Sequence, residues 1–114
     1  MSLRVKGVPE FDLQYRELKE SAQNGNGASQ ILLKKLDKAI EKLKYNYRAG
    51  VHVPKDRIPP FYVINYGVDN LWKLDLDPNY RLIYTVRGNE IEVMSVLLEF
   101  FDHKAYNKRF RYKS

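Results

Sequence analysis

The sequence predicts an α+β fold: an N-terminal strand, an antiparallel helical hairpin packed on an antiparallel β-meander, and a short C-terminal functional segment. Three observations carry that prediction. Apolar residues recur at helical spacing through the first half of the chain, whereas from Asp69 onward the period changes to two. Between the two helical stripes lies the polar run Asn24-Gly25-Asn26-Gly27, too short to do more than reverse the chain. With 114 residues, 44% of them hydrophobic and 30% charged, the chain is expected to form a single domain over 1–114 around one core.

Each element has its own signal. Leu3-Arg4-Val5-Lys6-Gly7-Val8 alternates apolar and basic residues, as a half-buried strand does. Pro9 suits the first turn of a helix, and Glu10 and Asp12 complement its dipole. Phe11, Tyr15, Leu18 and Ala22 form that helix's apolar stripe. A second stripe, Leu32, Leu36, Ala39, Ile40, Leu43 and Tyr47, predicts a helix with Ser29 as N-cap that runs until Gly50. In residues 51–68, His52, Pro54, Pro59 and Pro60 argue against a regular helix, but Phe61, Tyr62, Val63, Ile64 and Tyr66 are too apolar for a free loop. An ordered connector is expected there, with room for a short strand.

The meander is read as strands over Asn70–Leu76, Tyr80–Arg87 and Glu90–Leu98. Asp77-Pro78-Asn79 makes the first turn, and Gly88-Asn89 is a two-residue hairpin loop. Pairing Leu76 with Tyr80 puts Trp72, Leu74, Tyr80, Leu82 and Tyr84 on one face, which should receive the helical hairpin. Lys73, Asp75, Arg81, Ile83 and Thr85 then share the other face, and the segment Phe100–Phe110 can bring His103 and Tyr106 to its rim.

Composition excludes several functions. There is no cysteine, so neither a disulfide framework nor a thiolate site is available, and the two histidines stand far apart. No phosphate loop, dinucleotide-binding glycine motif or calcium loop is present. No cofactor is expected. Neither a membrane span nor a secretion signal is visible, and a cytoplasmic location is expected.

The net charge of +6 favours a polyanionic partner. Its sources include Lys55 and Arg57 before the meander and Lys104, Lys108, Arg109, Arg111 and Lys113 near the end, where His103, Tyr106, Phe110 and Tyr112 interleave with the cations. Such interleaving suits RNA, although a solvated helix face and a frayed terminus would show the same charges. Lys73, Arg81, His103, Tyr106 and Arg109 make up a cationic set able to cleave RNA without a metal. Arg and Lys can stabilise a pentavalent phosphate, and His carries protons near neutral pH. Each also has a structural reading, in which Arg81 pairs with Asp75 across the strands and Tyr106 belongs to the core.

The order of elements and the runs Asn70-Leu71-Trp72-Lys73-Leu74, Tyr80-Arg81-Leu82-Ile83-Tyr84 and Asp102-His103-Lys104-Ala105-Tyr106 resemble the RelE/ParE toxin family. Val53-Pro54-Lys55-Asp56-Arg57-Ile58 resembles that family's approach to its second strand. The resemblance implies the toxin of a type II toxin–antitoxin module, of the RelE-like kind that cuts mRNA in the ribosomal A site. ParE-like members poison DNA gyrase instead, and a catalytically degenerate binding module on this fold is a further alternative. Implied partners are a cognate acidic antitoxin and mRNA on the ribosome, with a homodimer and a toxin–antitoxin hetero-oligomer both open. By the resemblance Arg81 holds the phosphate, Lys73 is the first of a strand lysine pair, Tyr106 works with the base or leaving group, and His103 falls at a basic position. The chain departs from the pattern at Asp75, where the second lysine would lie.

Overall fold

The computed structural model describes residues 2–89 and 92–111. A five-stranded sheet carries helices on both faces. Its strands are β1 (Ser2–Gly7), β2 (Val51–His52), β3 (Trp72–Asp77), β4 (Tyr80–Gly88) and β5 (Glu92–Asp102), in the order β1-β5-β4-β3-β2. The helices are α1 (Pro9–Gln23), α2 (Gly27–Leu43), α3 (Pro60–Tyr66) and α4 (His103–Arg109). The expected meander is β3-β4-β5. To it the fold adds β1, which runs parallel to β5, and β2, which makes two pairs with the start of β3.

The face assignment holds. Leu74, Leu82, Tyr84, Leu97 and Phe100 pack with Phe11 and Leu18 of α1 and with Leu32, Leu36, Ala39 and Leu43 of α2. Trp72 joins this core half-buried, its ring stacked on Tyr84 at 6.1 Å. On the opposite face Ile83 and Leu98 pack with Tyr62, Val53, Val68, Leu71 and Phe110. This second core is what α3 and α4 cover.

Several boundaries differ from the sequence reading. The N-cap of α2 is Asn26, not Ser29. Its side chain accepts the Ser29 N–H at 2.8 Å, so Ser29 is the third residue of the helix, where a cap's acceptor reaches. That helix ends at Leu43, and Tyr47 lies in the turns that follow. There Tyr84 Oη donates to Tyr47 C=O at 2.8 Å and accepts the Gly50 N–H at 3.0 Å, drawing the chain onto the sheet. Gly50 is required by close approach: a Cβ would stand 2.5 Å from Lys73 C=O.

The connector contains β2, a 3₁₀ turn over Lys55–Arg57, and the helix α3 that its prolines seemed to forbid. Pro60 sits in the first turn of α3, where a missing N–H costs nothing, and Gly67 ends the helix at φ 61°.

Tyr80 pairs with Asp77 rather than Leu76, which becomes the extra residue of a bulge. Asp77 Oδ1 accepts the N–H groups of Asn79 and Tyr80 at 2.7 and 2.9 Å and so closes a tighter turn. Gly88 is still paired, with Val93, and Asn89 N–H donates to Glu92 C=O. The strand therefore includes Gly88, and the loop begins at Asn89, one residue later than the sequence predicts. Glu90, the expected start of the last strand, lies outside the described residues. That strand runs on through Asp102 instead of stopping at Leu98, because the extra residue near Leu98 turns Leu97 and Phe100 to one core and Leu98 to the other. Beyond the last β1 pair, Gln14 takes over the edge of β5. Its amide bonds Phe100 C=O at 2.8 Å and Phe100 N–H at 3.0 Å.

Candidate functional site

Strand period and register bring Lys73, Asp75 and Arg81 to one face, since Asp75 is opposite Arg81 and Lys73 is opposite Ile83. The other half of the site arrives on α4, where His103 and Tyr106 are three residues apart and so lie on one side of the helix. Asp102 caps α4 by accepting the Ala105 N–H at 2.8 Å, and His103 N–H donates to Asn79 C=O at 2.6 Å, fixing the helix start to the β3–β4 turn. The far end is held by stacking of Tyr106 on Phe110 at 4.5 Å and by packing of Phe110 on Tyr62. Glu99 completes the anchor. It accepts hydrogen bonds from Tyr62 Oη at 2.7 Å and from Arg109 Nε and Nη2 at 3.1 and 3.3 Å. Burial, followed by the Glu99 charge, holds the Tyr62 phenol well above its ordinary range. Burial works against the Arg109 charge, but Glu99 outweighs it and keeps the guanidinium firmly protonated.

Four of the predicted catalytic side chains meet. Lys73 Nζ donates to Tyr106 Oη at 3.1 Å. The Arg81 guanidinium lies 4.6 Å from the centre of the Tyr106 ring, within cation–π range, and its Nη1 is 3.1 Å from His103 Nδ1. A guanidinium can only donate, so Nδ1 is the acceptor and a neutral His103 carries its proton on Nε2. Nε2 lies 3.2 Å from the Asn107 amide, which must then present its oxygen, the assignment of O and N in an amide being set by its partners. Arg81 Nε is 3.2 Å from Asp75 Oδ1, a distance that makes an ion pair. The N–H is not aligned with the carboxylate, however, and Nε is buried without a hydrogen bond. The Asp75 side chain is 68% exposed and that of Arg81 17%. The expected Arg81–Asp75 pair is therefore present, but its acidic member is the loosely held one.

Beside this cluster a groove of about 360 Å³ is lined by Val51, Val53, Pro54, Arg57, Lys73 and Tyr106. Lys55 and Arg57 lie on the exposed 3₁₀ turn, and Lys104, Lys108 and Arg111 are exposed on and just beyond α4. Arg109 differs from these. Its guanidinium is tied to Glu99 and stacks 3.5 Å from the Phe61 ring centre. Tyr112 and Lys113 lie outside the described residues. Sequence reasoning missed Asn107 and Glu99. Reading residues 103–109 as a helix would have found Asn107, four residues on from His103 and hence facing it. Glu99 carried no comparable signal, because its partners come from two separate helices.

A solved structure, the YoeB/ParE toxin from Agrobacterium tumefaciens, superposes with a TM-score of 0.58 over 88% of this chain and 98% of that one. At 14% sequence identity the likeness is one of fold alone. No curated protein sequence matches significantly. The family model for the ParE toxin of the type II toxin–antitoxin system parDE matches residues 9–98, from the first helix into the last strand, including Lys73, Asp75 and Arg81. The match spans most of the chain, which belongs to this family of type II toxins.

Proposed function

We propose that this toxin is an endoribonuclease that cuts mRNA on the ribosome, without a metal. The observation that carries the reading is the contact chain Lys73–Tyr106–Arg81–His103, four groups from three elements within reach of one phosphate. Each step of transesterification then has a residue. Arg81, with an unsatisfied buried Nε, takes the non-bridging oxygens and stabilises the charge that grows in the pentavalent transition state. A neutral His103 accepts the 2′-hydroxyl proton as that oxygen attacks phosphorus, which requires its ring to exchange a present partner for the substrate. Tyr106, whose oxygen already accepts from Lys73, donates its own hydroxyl proton to the departing 5′-oxygen, and Lys73 then faces the phenolate. The products are a 2′,3′-cyclic phosphate and a 5′-hydroxyl end. Lys55, Arg57, Lys104, Lys108 and Arg111 supply a cationic rim for the backbone, while Arg109 serves to hold α4. The site of action is the cytoplasm, with the ribosome.

A second reading, a gyrase-directed toxin, draws on the family match, which stops before His103 and Tyr106. One experiment separates the two. The protein is induced in cells and mRNA 5′ ends are mapped for the parent and for Arg81→Ala and His103→Ala. Losses of about 10²–10³ for the arginine and about 10²–10⁴ for the histidine are expected, with folding intact. Identical 5′-end profiles for uninduced cells, parent and variants would refute the nuclease reading. Inhibition of purified gyrase that survives both substitutions would establish the other.

A further inference from the structure

The sheet face that carries Arg81 has a second cavity at its other end. Arg87 stands six residues beyond Arg81 on β4, about 20 Å away along the strand. Here a cavity of about 350 Å³ opens over β5, with Met94, Val96 and Leu98 in its lining and Val8 and Tyr66 beside them. Met94 and Val96 are only half-buried, so this apolar surface is left partly in water.

Two cations bracket that surface. Lys6 of β1 pairs with Val96, and Arg87 of β4 pairs with Met94. Paired residues share a face, so both side chains stand over the cavity from opposite sides of β5. Both are exposed. Arg87 Nη2 donates to Tyr66 C=O at 3.0 Å, a neutral partner that fixes the guanidinium without cancelling its charge. Lys6 has no ion-pair partner among the described residues, whereas Arg4 on the same strand is paired with Glu92 at 3.3 Å. Burial, followed by the Glu10 charge, raises the Tyr66 phenol, so one acid stands near this rim against two cations.

We infer that this cavity binds a free carboxylate with a medium-length alkyl tail. The tail covers Met94, Val96 and Leu98, removing their exposed carbon from water. The head meets Arg87, held in place by Tyr66, and the flexible Lys6 ammonium closes over it. A nucleotide fits less well, because its base would bury ring nitrogens and exocyclic groups against aliphatic carbon. The one hydroxyl in the floor, Thr85 Oγ1, is buried and already donates to Asn70 C=O at 2.7 Å. This site shares no residue with the Lys73–Tyr106–Arg81–His103 cluster, and the inference does not depend on the nuclease reading.

The test titrates the full chain, with methyl groups labelled with ¹³C, against octanoate. Acetate, 1-octanol, uridine monophosphate and phosphatidylglycerol vesicles are titrated in parallel. Millimolar octanoate should shift the Val8, Met94, Val96 and Leu98 methyls and leave Leu36 and Leu74, in the other core, unmoved. Octanol should bind at least about tenfold more weakly for want of the charge, and acetate and the nucleotide should leave these methyls unmoved. Lys6→Glu with Arg87→Gln, at an unchanged melting temperature, should weaken octanoate by at least about tenfold and leave octanol as it was. If the double variant melts lower, Lys6→Glu alone, on an exposed side chain, carries the same expectation of weaker octanoate binding. The inference is overturned if octanoate leaves the four methyls unmoved, or if octanol, acetate or the nucleotide binds as tightly. It is equally overturned if the charge variants bind octanoate as well as the parent, or if the vesicles capture the protein and free octanoate does not compete.

Discussion

Replacing Asp75 by Asn removes a negative charge 3.2 Å from Arg81 Nε while keeping the side chain's shape. Because the carboxylate is 68% exposed, the relevant dielectric is close to that of water. At that separation Coulomb's law gives about 1.3 kcal/mol. Screening by salt and the entropy of holding an exposed side chain reduce the net worth to about 1 kcal/mol or less. The substitution should therefore cost the fold very little. On the proposed nuclease reading the sign reverses for substrate, because the carboxylate would compete with a phosphate for the same guanidinium. Asp75→Asn should strengthen phosphate binding by about the same 1 kcal/mol, close to fivefold. The assay is cleavage of mRNA on purified ribosomes at low and high salt. The gain should lie mainly in KM, since the competition acts before the chemical step, and it should shrink as salt rises. Slower cleavage by Asp75→Asn would refute this reasoning, because it would mean that Asp75 positions Arg81 rather than shields it.

Glu99→Ala should destabilise the protein by about 2–3 kcal/mol, less than for a fully buried pair, because it strands the buried Tyr62 hydroxyl and the half-buried Arg109. Thermal unfolding would check this, and a melting point unchanged within error would count against the anchor role given to Glu99. Asp77 supplies a pH dependence. Burial pushes its carboxyl up, but the Asn79 N–H, Lys35 and the Tyr80 N–H together outweigh it and hold the carboxyl below the ordinary range. A depressed carboxyl stabilises the fold fully above its unfolded value, and the benefit is lost as pH falls through the folded one. Asp77→Asn should therefore melt lower than the parent at pH 7, by about 1 kcal/mol of stability, and the gap should close in strongly acidic buffer. A gap that is constant from pH 7 to pH 2 would show that the charge contributes nothing.

The readable parts of this fold are those in which local chemistry and tertiary demand agree. α1 has proline at its start, acids in its first turn and an apolar stripe, and its observed bounds follow from these signals. The two faces of the meander were legible because a period of two admits two assignments and only one gave the α2 stripe a partner. The misread parts depend on contacts distant in sequence. α3 looked forbidden because prolines were counted as breakers without regard to position, and a proline in the first turn breaks nothing. α2 looked too long because Tyr47 continues its stripe, yet Tyr47 is held by a hydroxyl that lies 37 residues further on. The bulge beside Leu98 lets one strand feed two cores, and no alternation rule anticipates an inserted residue.

The site shows the same division at a finer scale. Lys73, Arg81, His103 and Tyr106 could be named from residue type and order, but which of them touch depends on where β5 ends. Had that strand stopped at Leu98, α4 would start four residues earlier and its side chains would face elsewhere. The longer strand, closed by the Asp102 cap and the His103–Asn79 bond, sets the phase of α4 so that residues 103 and 106 face β4 while residue 109 turns to Glu99. Three basic or aromatic positions that look alike in the sequence thus divide their tasks by helical phase, and the division can be tested. Arg109→Ala should act through stability and be largely rescued in activity by Arg109→Lys, which keeps a cation for Glu99. Arg81→Lys, which loses the planar fork facing His103 and the phosphate, should fold normally and fail to restore cleavage.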